Sequence, residues 1–158
     1  MAINNKTYNN VIDTLKNLGE EHQQISTTTT GDIFDIDLEK NTKYPLMHIN
    51  PVSVTTRRTE LVYNFQIFIM DMVKNDDSNE QEVYSEILSI CINVISIMSN
   101  SKWQSQLTLD IDAPVYFAEG DFTLEPFTER FDNNVTGWVF SISVEAENDF
   151  QTCTIPVN

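Results

Sequence analysis

Asp32, Asp35, Asp37 and Glu39 form the densest set of oxygen ligands in the chain, and their spacing resembles a calcium-binding loop in which carboxylates converge on one ion. Counted from Asp35, however, Lys40 stands where such a loop turns on glycine, and Leu46 stands where it closes with a bidentate acid. Alternating with Phe34, Ile36 and Leu38, these acids read as the wet face of a half-exposed strand. No metal is expected there.

His22 and His48 are the only histidines, and neither falls in a GxSxG, HExxH or Walker pattern. His48 lies between Pro45 and Pro51 in an apolar segment, which points to a core or interface histidine rather than a general base. Cys91, on an apolar helical stripe, and Cys153, near the end, lack the paired spacing of a zinc or redox site and read as reduced thiols. With 4 glycines in 158 residues, a phosphate-cradling loop is excluded. The expectation is a non-enzymatic protein with no cofactor.

The formal charge of -15, from 24 acidic and 9 basic residues, argues against a nucleic-acid binder, because phosphate backbones are held by cations. Arg57 and Arg58 are the only adjacent basic pair, and they read as a docking point for an acidic partner or neighbouring subunit, or as an exposed turn. The first ten residues, MAINNKTYNN, have neither the basic region nor the apolar stretch of a secretory signal, and no apolar run reaches membrane-spanning length. Asn5-Lys6-Thr7 and Asn134-Val135-Thr136 match a glycosylation pattern that has no meaning without secretion. A soluble protein is expected, as one domain over residues 1–158.

The elements that must position these groups can be read from periodicity. Tyr8, Val11, Ile12, Leu15 and Leu18 fall on one stripe of a first helix, capped by Asn4 or Asn5 and ending near Gly19. Strands are expected at residues 33–38 and 44–54, and Thr55-Thr56-Arg57-Arg58-Thr59 turns the second into the chain's most distinctive run, LVYNFQIFIMDMV at residues 61–73. Leu61, Tyr63, Phe65, Ile67 and Ile69 give that run one fully apolar face; Val62, Asn64, Gln66, Phe68 and Met70 give it a second face, polar first and apolar later. A strand spanning roughly 40 Å exceeds what a small domain needs, so Phe68 and Met70 are expected to find cover on another subunit.

A second helix is expected over residues 79–99, with a Ser78/Gln81 capping box and a stripe of Tyr84, Ile87, Leu88, Cys91, Val94, Ile95 and Met98. Ile90, Ile92 and Ile97 widen that stripe enough to suggest packing on more than one side. Residues 103–111 read as a strand, and residues 112–131 as a hairpin or projecting arm whose Tyr116, Phe117, Phe122 and Phe127 suit an interface. In the final strand, residues 135–145, Trp138, Phe140, Ile142 and Val144 face inward, and residues 148–158 form a tail. The whole is α+β, an antiparallel sheet with a long hairpin and two helices packed on one face, in the order α-β-β-β-α-β-β-β.

The opening helix leading into KNLGEEHQQI, the hairpin ending in LVYNFQIFIMDMV, the segment NDDSNEQEVYSEILSI and the closing FTLEPFTERFDNNVTGWVFSISVEAEND together resemble the tail-terminator and head-to-tail joining proteins of tailed bacteriophages, including crAss-like ones. The resemblance implies a virion structural protein: a homo-oligomeric ring, six- or twelve-fold, at the neck or tail end. Its neighbours would be other neck, portal or tail proteins, with DNA passing through without specific binding. Arg57, Arg58, Phe68, Met70, Tyr116, Phe117, Phe122 and Phe127 are then candidate subunit contacts, and Asp35, Asp37 and Glu39 candidate channel-facing acids that would repel phosphates. The alternative is an acidic soluble binding module or nucleic-acid-mimicking inhibitor, though the acids scatter over turns and helix ends. A small hydrolase ranks third, for want of a nucleophile-base pair.

Overall fold

The computed structural model describes residues 8–32, 43–74, 76, 78–99, 118, 121–130 and 134–147. Their elements are α1 (Tyr8–Glu21), β1 (Thr27–Thr30), β2 (Leu46–Thr56), β3 (Glu60–Met72), α2 (Glu80–Met98), β4 (Leu124–Arg130) and β5 (Asn134–Glu147). The fold is α+β, with a 5-stranded mixed sheet in the order β1-β2-β3-β5-β4. The β2–β3, β3–β5 and β4–β5 pairs are antiparallel, as the sequence predicts. β1 departs from that expectation: the threonine run Thr27–Thr30 forms an edge strand and pairs parallel to Leu46–Ile49. The stretch between β1 and β2 is long enough for the crossover that a parallel neighbour requires. The strands expected at residues 33–38 and 103–111 and the tail at 148–158 lie outside the described residues.

The length of β3 has a cause internal to the chain. It is the central strand, paired with β2 from Leu46↔Met70 to Thr56↔Leu61 and with β5 from Glu60↔Glu147 to Met72↔Val135. Its odd-numbered apolar side chains, Tyr63, Phe65, Ile67 and Ile69, join Met47, Ile49, Phe140, Ile142, Val144 and Ala146 on one face of the sheet. Val11, Leu15 and Leu18 of α1 and Val83, Ile87, Ile90, Cys91, Val94 and Met98 of α2 pack onto that face.

The opposite face corrects the expectation for Phe68 and Met70. They are 7% and 0% exposed, in a second cluster with Leu46 and Val135 that Tyr44, Phe127 and Val139 pack against. The chain buries the apolar end of β3 by itself, because β2, β5 and β4 place apolar residues on the same side of the sheet at that end.

Other local expectations change for equally local reasons. Gly19 does not end α1, which continues to Glu21; a Cβ there would stand 2.5 Å from Thr28 Oγ1 and 3.2 Å from Met47 Sδ, so glycine lets the helix lie close on the β1–β2 edge. The Ser78/Gln81 capping box does not form: Asn79 is the N-cap, and its Oδ1 accepts instead from the Lys74 N–H at 2.8 Å. Glu80 and Glu82 in the first turn of α2 suit the positive end of the helix dipole. α2 packs on one side rather than two, since Ser85, Ser89, Asn93 and Ser96 face solvent and Ile92 is 52% exposed among them. Trp138 ties α2 to β5, its Nε1–H donating to the Tyr84 carbonyl at 2.9 Å and its ring meeting that of Tyr84 edge-on.

Residues 124–130 of the expected arm are β4, an edge strand of the same sheet. Phe122 packs toward the helix-side core, edge-on to Phe140, while Phe127 meets Phe68 edge-on at 5.2 Å. Pairing with β5 directs Phe127, and contact with Phe140 holds Phe122, into the chain's own packing rather than toward a projecting surface. Tyr116 and Phe117 lie outside the described residues.

Candidate functional site

β1 covers the outer edge of β2 only as far as Ile49. Beyond it, among the described residues, that edge has no strand partner, and residues 51–59 are exposed one after another. Pro51 pairs with Phe65 and Ser53 with Asn64, so Val52 is an extra, bulged residue. Val52 and Val54 are 58% and 50% exposed. A proline and a bulge are devices that restrain strand addition at an edge, yet past them Ser53, Val54, Thr55 and Thr56 carry no charge.

The turn closing this hairpin is tight. Arg57 N–H donates to the Glu60 carbonyl at 2.8 Å and Glu60 N–H donates back at 3.4 Å, leaving Arg58 and Thr59 as a two-residue loop. Arg57 Nη1 lies 3.1 Å from Glu145 Oε1 on β5 and 3.9 Å from Glu60 Oε2. Such solvent-exposed pairs contribute about 1 kcal/mol or less, so their effect is to orient Arg57 rather than to hold the sheet. Arg58 stays exposed at the apex.

Behind the tip the face opposite the helices is polar. Asn64 donates to Ser53 Oγ at 3.0 Å and accepts from Ser143 Oγ at 2.6 Å, linking β2, β3 and β5, and Asn50 Nδ2 donates to Gln66 Oε1 at 3.3 Å. The change along β3 from Asn64 and Gln66 to Phe68 and Met70 is thus a change from an open face to a covered one.

The hairpin places Arg57 and Arg58 together, as the sequence suggests, and adds Val52 and Val54, which sequence reasoning missed. Their exposure follows from the shortness of β1 beside the long β2, a pairing that periodicity does not announce. Asp35, Asp37 and Glu39 lie outside the described residues.

The groups with chemical potential are separate from this tip. His48 is fully buried between β1 and β2, its Nε2–H donating to the Gly31 carbonyl at 2.9 Å and its Nδ1 2.7 Å from the Thr29 hydroxyl, so both ring nitrogens are engaged within the chain. Burial lowers the His22 pKa; its Nδ1 accepts the Gln24 N–H. Burial raises Asp71, with the Glu86 carboxylate adding to the rise and the Met72 N–H opposing it. Burial pushes the Cys91 thiol up to about 12, which leaves it unreactive. Among the described residues no three His, Cys, Asp or Glu side chains could hold a metal ion, and no helix is long and apolar enough to cross a membrane.

No protein-family model matches the chain, and no curated protein matches it.

Proposed function

We propose that this is a non-enzymatic structural protein of a tailed-phage virion, a subunit of a ring at the neck or tail end that joins head or portal components to the tail and surrounds a DNA passage. The observation that supports assembly is the distal β2–β3 hairpin: a strand edge that, among the described residues, is left open beyond Ile49, bearing exposed valines and an exposed arginine at its apex. With Phe68 and Met70 buried, the self-association argument rests on this tip and not on the apolar end of β3. A net charge of -15 suits a ring through which DNA slides, since carboxylates repel phosphates. The virion position comes from the resemblance of the helix, hairpin and closing strand to neck and tail-terminator proteins.

Purified protein examined by light scattering after size exclusion and by negative-stain imaging should show closed rings, and antibody raised to it should label the neck or tail end of phage particles. A monomer at every concentration, combined with absence of label from particles, refutes the reading. Tight inhibition of a nuclease by that monomer would favour the acidic inhibitor instead.

A further inference from the structure

The only two histidines of the sequence stand at the two ends of β1. His22 opens the turn that leads from α1 into it. Its Nδ1 accepts the Gln24 N–H at 3.1 Å, its carbonyl accepts the Ile25 N–H at 3.1 Å, and its Nε2 lies 3.3 Å from the Asn93 amide of α2. His48 holds the other end, with Nδ1 2.7 Å from the Thr29 hydroxyl and Nε2 2.9 Å from the Gly31 carbonyl. β1 has little else to hold it: it is 4 residues long and, among the described residues, pairs with β2 alone, in parallel.

We infer that β1 is a proton-released edge strand: near neutral pH the two uncharged imidazoles clasp it to β2, and as they become charged it opens and uncovers the Leu46–Ile49 edge. The two rings resist the proton for different reasons. A backbone N–H can only donate, so a proton on His22 Nδ1 would set two donors against each other and forfeit the Gln24 bond. Burial acts in the same direction, lowering the His22 pKa. His48 could keep both contacts as an imidazolium, since the carbonyl and the hydroxyl oxygen can each accept. What opposes its charge is burial at 0% exposure, with the Phe68 ring 6.3 Å away.

The charged and titratable groups on the flanking segments are Glu20 and Glu21 at the end of α1, Asp32 after Gly31, and Lys43 and Tyr44 ahead of β2, where the Lys43 carbonyl accepts from the Thr27 hydroxyl at 2.7 Å. α2 presents Asn93 to His22 and β3 presents Phe68 to His48, and neither titrates. Each ring favours the closed strand fully above about pH 6.5 and loses that preference as pH falls below it, by up to about tenfold in the opening equilibrium per histidine at one pH unit lower. With β1 open, the outer edge of β2 lacks a strand partner among the described residues along all of Leu46–Thr56, not only beyond Ile49.

The test is hydrogen exchange on the full-length protein at about pH 7.5 and about pH 5.5, the range in which imidazole ordinarily changes charge, corrected for intrinsic rates. The reporters are the amides of residues 26–31, of which Ser26 and Thr27 donate to the Pro45 carbonyl and Gly31 to that of Ile49. Their opening should increase about tenfold at the lower pH, while amides of β3 and β5 change by less than about threefold. His22→Gln, whose amide oxygen can still accept from Gln24, should remove part of this acid step, and adding His48→Gln should remove the rest. If the second variant fails to fold, wild type and His22→Gln still decide. Corrected β1 exchange that is equal at the two pH values, an acid step as large in β3 and β5 as in β1, or an undiminished step in His22→Gln overturns the inference.

Discussion

Replacing Gly137 with alanine should damage the sheet more than any other single-methyl addition in the described part of the molecule. Gly137 lies in β5 opposite Met70 of β3, and a Cβ there would land on the Ile69 carbonyl oxygen, 2.8 Å from Met70 Cα and 2.9 Å from the Ile69 carbonyl carbon. All three atoms are backbone of the central strand, so no side-chain rotation relieves the overlap. Overpacking of this kind costs about 1–3 kcal/mol where side chains can adjust. Here β5 must move from β3, which weakens adjoining ladder bonds at about 1 kcal/mol each. The expected loss is about 3–5 kcal/mol, a fall in Tm on the order of 10 °C for a chain of this size.

Gly19→Ala is the control. Its Cβ would meet Thr28 Oγ1 at 2.5 Å and Met47 Sδ at 3.2 Å, side-chain atoms that can shift, and alanine returns about 1 kcal/mol of helix propensity. Calorimetry or denaturant titration of the two variants should give a small loss for Gly19→Ala, recovered in part by adding Thr28→Ala, and a large one for Gly137→Ala. Gly137→Ala melting within a degree or two of wild type would refute the close β3–β5 backbone approach.

Phe68→Ala should cost about 3–5 kcal/mol in the free protein, because Phe68 is already buried; a change within about 0.5 kcal/mol would mean that its cover comes only from a partner. Asp71→Asn should stabilise at neutral pH, by well under about 1 kcal/mol after solvent screening. Folding raises the Asp71 pKa above 3.8, so ionised Asp71 opposes folding at neutral pH, and the gain should fade as pH falls through the raised folded-state pKa and vanish below 3.8, where the wild-type acid is protonated in both states. His22 has the complementary sign: its lowered pKa means stability that is full above pH 6.5 and declines as pH falls below it, a decline that His22→Gln should remove from the pH dependence of Tm. In a Cys153→Ser background, Cys91 should resist a thiol reagent in the folded protein at pH 8 and react once guanidinium unfolds it; rapid reaction of the native protein would contradict its burial.

The hairpin, both helices and the final strand were legible because each carries a long, regular apolar period. Trp138, Phe140, Ile142 and Val144 alternate as a one-sided strand and sit on the helix face as that pattern requires. The parallel threonine strand was not legible, since four β-branched polar residues state a backbone preference without naming a neighbour. Phe68 and Met70 show the same limit from the other side: alternation assigns residues to a face, but whether that face is covered depends on Leu46, Phe127 and Val135, which lie far away in sequence. Of the candidate interface, Arg57 and Arg58 were visible as a charge anomaly, while the exposure of Val52 and Val54 depends on where β1 stops.

The two halves of β3 explain how one strand can both anchor a core and present a wet face. Toward Met70 its second face is apolar and buried; toward Glu60 the same face carries Asn64, which bonds Ser53 on one neighbour and Ser143 on the other. An apolar residue at position 64 would break these bonds and expose apolar surface on the open face, whereas the amide stitches three strands while keeping that face wet. The two-residue turn and the Arg57–Glu145 pair then set where Arg58 projects.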